Sequence, residues 1–202
     1  MPSIAVHLAA ADILAEPLKI KDMPAYLLGC IAPDRVNADG FAPAEQRYAA
    51  HIRSRDIEQW KANIVKFCRE RAETDFIKGF ALHLFTDIAW DETVQPQLFE
   101  YLRGKGIPEE ELNSAKWDEL RGFDSLLSKS DNYPRDIELL RRSTADSAGD
   151  AGIDKAGLEK WRDKITALQY PYPPCGFLSE EHIKTAAELA LLYTEQIGRA
   201  HV

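Results

Sequence analysis

Residues 79–91 constrain the fold of this chain more than any other stretch: Gly79-Phe80-Ala81-Leu82-His83-Leu84-Phe85-Thr86-Asp87-Ile88-Ala89-Trp90-Asp91. With Phe76 and Ile77 ahead of them, apolar side chains fall on nearly every face of the helix this segment forms. That is the pattern of a helix enclosed by other elements, not of one lying on a surface. A single polar stripe interrupts it. Residues four apart stack one above another on a helix, so His83, Asp87 and Asp91 make a ladder with Thr86 beside it. An imidazole and a carboxylate aimed into apolar surroundings are strongly disfavoured unless they are paired or bound. A metal ion satisfies both at once; an internal His–Asp hydrogen bond is the plainer alternative.

Helix signals dominate the rest of the chain, and the expected architecture is all-α, a multi-helix bundle forming one domain over residues 1–202. A first helix is expected over about 3–15 and a short second one from Pro24 to Gly29, with Pro24 at its first position. A loop runs through Pro33-Asp34 to Asp39-Gly40. Helices follow near 43–52 and 54–71, and Thr74 caps the central one, which runs to Tyr101 before Gly104, Gly106 and Pro108. Further helices are expected near 109–129, 134–143, 154–168 and 179–198. No apolar–polar alternation is long enough to claim a strand. Ser143–Gly152, rich in Ser, Ala, Asp and Gly, reads as flexible, and Pro171-Tyr172-Pro173-Pro174 as an extended connector.

Bulk properties exclude several functions. A net charge of -8 argues against stable nucleic-acid binding through phosphate neutralisation. No apolar run reaches the length of a transmembrane helix, and the N-terminal residues lack the basic start of a secretory signal. Cys30, Cys68 and Cys175 are odd in number and widely spaced, which fits a reducing cytoplasm and excludes a thiolate zinc knot. No Gly-rich phosphate loop and no Gly-x-Ser-x-Gly turn is present.

The histidines fall where a metal needs them. His7 interrupts Ile4-Ala5-Val6 and Leu8-Ala9-Ala10 on the first helix, and His51 precedes Arg53-Ser54-Arg55-Asp56. Each has an ordinary explanation, as a satisfied core residue or a solvated loop residue, and Asp34 after Pro33 suits a turn. Taken together, two histidines from separate segments, a loop aspartate and a His-x-x-x-Asp helix supply the mixed nitrogen and oxygen donors that zinc and related divalent metals take. Facing helices of a bundle commonly furnish such donors.

The residues His7, Leu28-Gly29-Cys30-Ile31-Ala32-Pro33-Asp34, His51 and Gly79-x-x-x-His83-x-x-x-Asp87 resemble the zinc-dependent phospholipase C family, whose superfamily includes fungal single-strand nucleases. The likeness covers about the first 90 residues in spaced motifs. It implies the phospholipase C/nuclease helical fold and one metal held by Asp34, His51, His83 and Asp87. A neighbouring metal would be held by His7 and share Asp87. The chain departs from that family in two ways. It begins Met1-Pro2 where the secreted enzymes have tryptophan, and no later His-x-x-x-Glu or His-x-x-x-Asp follows: His182 is followed by Ala186, and His201 stands in the tail. One or two ions are therefore expected, zinc first, with iron, manganese or nickel as alternatives.

Such a site hydrolyses a small phosphate ester, monoester or diester, by metal-activated water. Asp34 is the candidate to orient or deprotonate that water, Asp91 and Thr86 are candidates for an extra ligand or for orienting the ligands, and Arg53 and Arg55 for phosphate contacts. Two other functions stand beside this one. One is a non-catalytic helical interaction protein with a structural metal or none. The other is a histidine-aspartate-type phosphohydrolase, against which counts the absence of any adjacent His-Asp pair.

Overall fold

Local signals start four of the helices in the computed structural model, which describes residues 1–199, with side chains at all of these but 147, 150, 196, 198 and 199. Nine α-helices and no strand occur among the described residues. α1 is Ile4–Leu14, α2 Met23–Ile31, α3 Ala44–Ala50, α4 Ile57–Arg69 and α5 Asp75–Gly104; α6 is Leu112–Leu127, α7 Asn132–Arg142, α8 Lys155–Thr166 and α9 Glu180–Arg199. The carboxylates of Asp22, Asp56 and Asp154 accept from the amides of Ala25, Gln59 and Gly157, and the Thr74 hydroxyl accepts from Ile77, so each of these helices has a side-chain N-cap. No described helix is long and apolar enough to cross a membrane.

α5 is the axis of the molecule. Phe76, Phe80, Leu84, Phe85, Ile88, Trp90 and Leu98 are all buried along its 30 residues. It packs on α2, α9, α4, α6 and α1, which surround it as the all-round apolar pattern requires. It also runs one turn further than Tyr101, to Gly104. α5 and α2 cross in close contact, because two glycines meet there. A β-carbon on Gly29 would overlap the Phe76 carbonyl oxygen, and one on Gly79 would overlap that of Tyr26. The helices therefore touch backbone to backbone.

Two connections differ in character. Pro171–Pro174 has no regular structure, as its composition dictates, and is clasped to α6 where Gly122 leaves room for Pro173 and Cys175. Ser143–Gly152, expected to be flexible, instead forms a 3₁₀ helix over Ala145–Ala151. Its alanines at 145, 148 and 151 are three apart, so they share one face in a helix of three residues per turn, and all three are buried. Small side chains packed by neighbours, not local preference, order this segment.

Candidate metal centre

Four elements converge on one buried point. α1 brings His7, the 3₁₀ turn Ala32–Asn37 brings Asp34, the C-terminal cap of α3 brings His51, and α5 brings His83 and Asp87. All five residues predicted as ligands are thus gathered together. They form two overlapping triads, His7–His83–Asp87 and Asp34–His51–His83, whose donor atoms lie within 4.8 Å of one another.

The hydrogen-bond chemistry of the cluster is one-sided. His83 Nδ1 stands 2.7 Å from the Cys30 carbonyl oxygen, and His51 Nδ1 stands 2.8 Å from that of Arg47. A carbonyl only accepts, so Nδ1 carries the proton in both rings and each Nε2 presents a lone pair. Those two Nε2 atoms face each other across 3.2 Å. Asp87 Oδ2 lies 3.6 Å from His51 Nε2 and 3.7 Å from His83 Nε2, and Asp34 Oδ1 lies 3.6 Å from His51 Nε2. His7 Nε2 faces Asp87 Oδ1 at 3.4 Å, and its ring stacks on His83 with centroids 3.7 Å apart. Neither nitrogen of His7 and neither oxygen of Asp87 has a hydrogen-bond partner, although all four atoms are buried. The lone pairs of His51 Nε2 and His83 Nε2 and the Asp87 carboxylate repel one another, and a cation removes the repulsion. The spacing fits one: two donors each about 2.1 Å from a tetrahedral zinc lie roughly 3.4 Å apart.

Electrostatics keep the donors in ligating form. Burial, then the neighbouring His7, holds the His83 imidazole well below its usual pKa and so neutral. For Asp87, burial alone would raise the pKa, but contact with His7 and the pull of His83 and His51 outweigh it, and the carboxyl stays below the usual range. Burial raises that of Asp34, with His51 opposing the shift. Asp34 is also the opening of the site: its side chain is 15% exposed, against 0–1% for His7, His51, His83 and Asp87.

The groups that shape this centre are less visible in sequence. Gly29 and Gly79 let α2 approach until the Cys30 carbonyl reaches His83. His51 sits at a strained corner, since Ile52 after it has φ +43°, an unfavourable value for a β-branched residue. The Trp60 indole N–H donates to the His51 carbonyl at 2.9 Å, and the Asn63 amide to that of Ile52 at 3.2 Å, so α4 holds the corner. A tryptophan three residues into a charged helix gives no sign of this role.

The remaining candidates take other places. Asp91 binds the Met1 amine at 2.6 Å and Arg53 at 3.2 Å, and stands outside both triads. The Thr86 hydroxyl is buried and hydrogen-bonds to none of the ligands. Arg53 lies over the rings of Trp60 and Tyr48. With Arg55 it lines a groove of about 270 Å³ that Asp91 and Ile88 close. His182 Nδ1 accepts from the Ser179 amide at 3.1 Å at the start of α9, and His201 lies outside the described residues. Set against protein-family models, curated proteins and solved structures, the chain matches none.

Proposed function

We propose that the chain is a metal-dependent hydrolase of small phosphate esters, holding one or two divalent ions through Asp34, His51, His83, Asp87 and His7. One observation supports this: a buried cluster in which the Nε2 lone pairs of His51 and His83 face each other beside the Asp87 carboxylate, neither of whose oxygens has a hydrogen-bond partner. Zinc is the first expectation for two or three imidazoles with carboxylates, followed by iron, manganese and nickel. Such an ion supplies Lewis acidity and a bound water acidified towards neutrality.

The protein's own groups do the rest. Asp34, the ligand-set residue with an edge to solvent, accepts the hydrogen bond that orients the attacking water and takes its proton. Cys30 and Arg47 fix the tautomers of His83 and His51 through their carbonyls, so both rings arrive with Nε2 free. Arg53, braced by Asp91 and by the faces of Trp60 and Tyr48, offers its other N–H groups to phosphoryl oxygens, with Arg55 on the same groove. Three free cysteines agree with a cytoplasmic setting.

Metal analysis of protein purified without added metal tests the first half of the proposal: stoichiometric metal is expected, and His83→Ala should lose it. A panel of chromogenic phosphomonoesters and phosphodiesters tests the second. Hydrolysis above a His51→Ala control is expected, and none on any substrate would sink the catalytic reading. The near-complete burial of four of the five donors favours one alternative, a structural metal in a non-catalytic helical protein. Bound metal without turnover would establish it.

A further inference from the structure

A second cavity, of about 690 Å³, lies between the end of α4, the start of α5, the end of α9 and the turn after α1. It is separate from the metal centre. At 3.6 residues per turn, Ile77 and Ala81 in its wall lie about 120° around α5 from His83 and Asp87. Its size is that of a small-molecule pocket, which typically spans about 300–1,000 Å³.

The lining is divided by chemistry. Leu18, Ile77, Ala81, Leu191 and Ile197 make an apolar floor, while Lys19, Arg69, Arg71 and Lys78 stand around it. Glu73 and Glu195 are the acids of the wall, and Glu73 pairs with Lys78 at 3.4 Å. A cation-rich rim is notable on a chain of net charge -8. One of the cations shows a further sign of a ligand. Arg71 lies over the Phe67 ring and donates from Nη1 to the Phe67 carbonyl, yet its buried Nε–H has no acceptor. Lys19, in the turn between α1 and α2, has φ +54°. That turn sets Lys19 among the residues that line the cavity, within reach of an anionic head group.

We propose that this cavity binds a single-chain amphipathic anion. The alkyl chain lies along Ile77, Ala81 and Leu191, and the carboxylate or phosphate head meets Arg71 and Lys19. The site works independently of the metal centre, so neither proposal falls with the other.

Calorimetric titration of the full chain with dodecanoate and with dodecyl phosphate, both below their micelle concentrations, tests it. Saturable binding of one molecule per chain is expected for at least one of them, and the tighter of the two assigns the head group. Arg71→Gln and Lys19→Glu, both at the rim, should each weaken binding by about tenfold, the worth of a charge-assisted hydrogen bond. Ala81→Trp, which fills the floor, should abolish it, and circular dichroism establishes that each variant is folded. The rim variants carry the test if Ala81→Trp does not fold. Saturable binding of neither amphiphile overturns the proposal, as do affinities that both rim variants leave unchanged. Uncharged dodecanol binding as tightly as dodecanoate refutes the anionic head. Association with phosphatidylglycerol vesicles but with neither monomeric amphiphile replaces the cavity by a membrane-facing surface.

Discussion

Gly79→Ala sets two effects of known sign against each other. In a helix interior, alanine is favoured over glycine by about 1 kcal/mol, so propensity alone makes the variant more stable. The new β-carbon, however, would overlap the Tyr26 carbonyl oxygen and stand 2.9 Å from the Cys30 amide nitrogen, where ordinary contact begins at 3.4 Å. Both obstacles are backbone of a buried helix, so no side chain can swing aside. Overpacking of this kind costs about 1–3 kcal/mol even where side chains can adjust, so a rigid obstacle belongs at or beyond the upper end. The expected net is a destabilisation of about 2 kcal/mol or more. The same displacement of α2 draws the Cys30 carbonyl away from His83 Nδ1, and losing a partner that orients a metal-binding histidine lowers metal affinity about 10- to 100-fold. Urea unfolding followed by far-UV circular dichroism, in the presence of chelator, reads the first effect. Competition for zinc with a chromophoric chelator reads the second. Gly104→Ala, at the end of the same helix with nothing within 4 Å of its β-carbon, is the control and should be neutral or slightly stabilising. A Gly79→Ala protein as stable as the parent, or one with unchanged zinc affinity, would refute the claim that the glycine crossing sets the position of His83.

Trp60→Phe keeps the ring but removes the donor to the His51 carbonyl; chelator competition should show metal affinity lowered about tenfold or more. Its urea midpoint should fall by an amount corresponding to about 1–3 kcal/mol, the cost of an unsatisfied buried carbonyl. Zinc at about 100 times its Kd should stabilise the fold by about 2.7 kcal/mol, a rise in Tm of roughly 5–10 °C for a chain of this size, and the rise should vanish in Asp87→Asn. Asp124 on α6 provides a pH test away from the metal. Burial pushes its pKa up to about 7, while the Ser3 hydroxyl donates to it and opposes the shift. Between the unfolded value near ~4 and about 7 the folded form keeps a proton that the unfolded form has lost, so stability falls as pH rises through that window. Metal-free unfolding curves at pH 4.5, 6 and 7.5 (about the two edges and the middle of that window) should show the decline in the parent and a smaller one in Asp124→Asn, where Asp136, whose carboxyl burial also pushes up to about 6, still contributes.

What the sequence declares about the fold is whatever is decided locally. Asp22, Asp56, Thr74 and Asp154 accept from amides of the first turn whatever surrounds them, so the starts of α2, α4, α5 and α8 are written in the chain. The axial place of α5 is legible for a different reason: a helix apolar on every face has only one stable location. Ala145–Ala151 shows the limit. Alanine, serine, aspartate and glycine carry almost no preference for order, and this turn is a 3₁₀ helix because α8 and other elements pack against it. Nothing within the segment encodes those neighbours.

The centre divides along the same line. The spacing of His83 and Asp87 is a local fact of helix geometry, and it places two donors on one face before any tertiary structure exists. Asp91 obeys the same spacing yet leaves the cluster, because each step of four residues turns about 40° past a full turn, and two steps carry a side chain about 80° around the axis. The ladder therefore unwinds out of the buried centre within two turns, and its last rung meets Arg53 and the Met1 amine instead. His7 and His51 come from other elements, and only packing brings them to Asp87. The decisive property, that His51 Nε2, His83 Nε2 and the Asp87 carboxylate face one another as acceptors, belongs to no residue alone. It arises because the Cys30 and Arg47 carbonyls claim the one proton that each neutral imidazole carries, which turns two ordinary histidines into a pair of opposed lone pairs. Two such lone pairs beside an ionised Asp87 lower their energy by taking up a cation, as a proton or as a metal. Burial and the neighbouring His7 disfavour a proton on His83 and so keep that ring a neutral electron-pair donor.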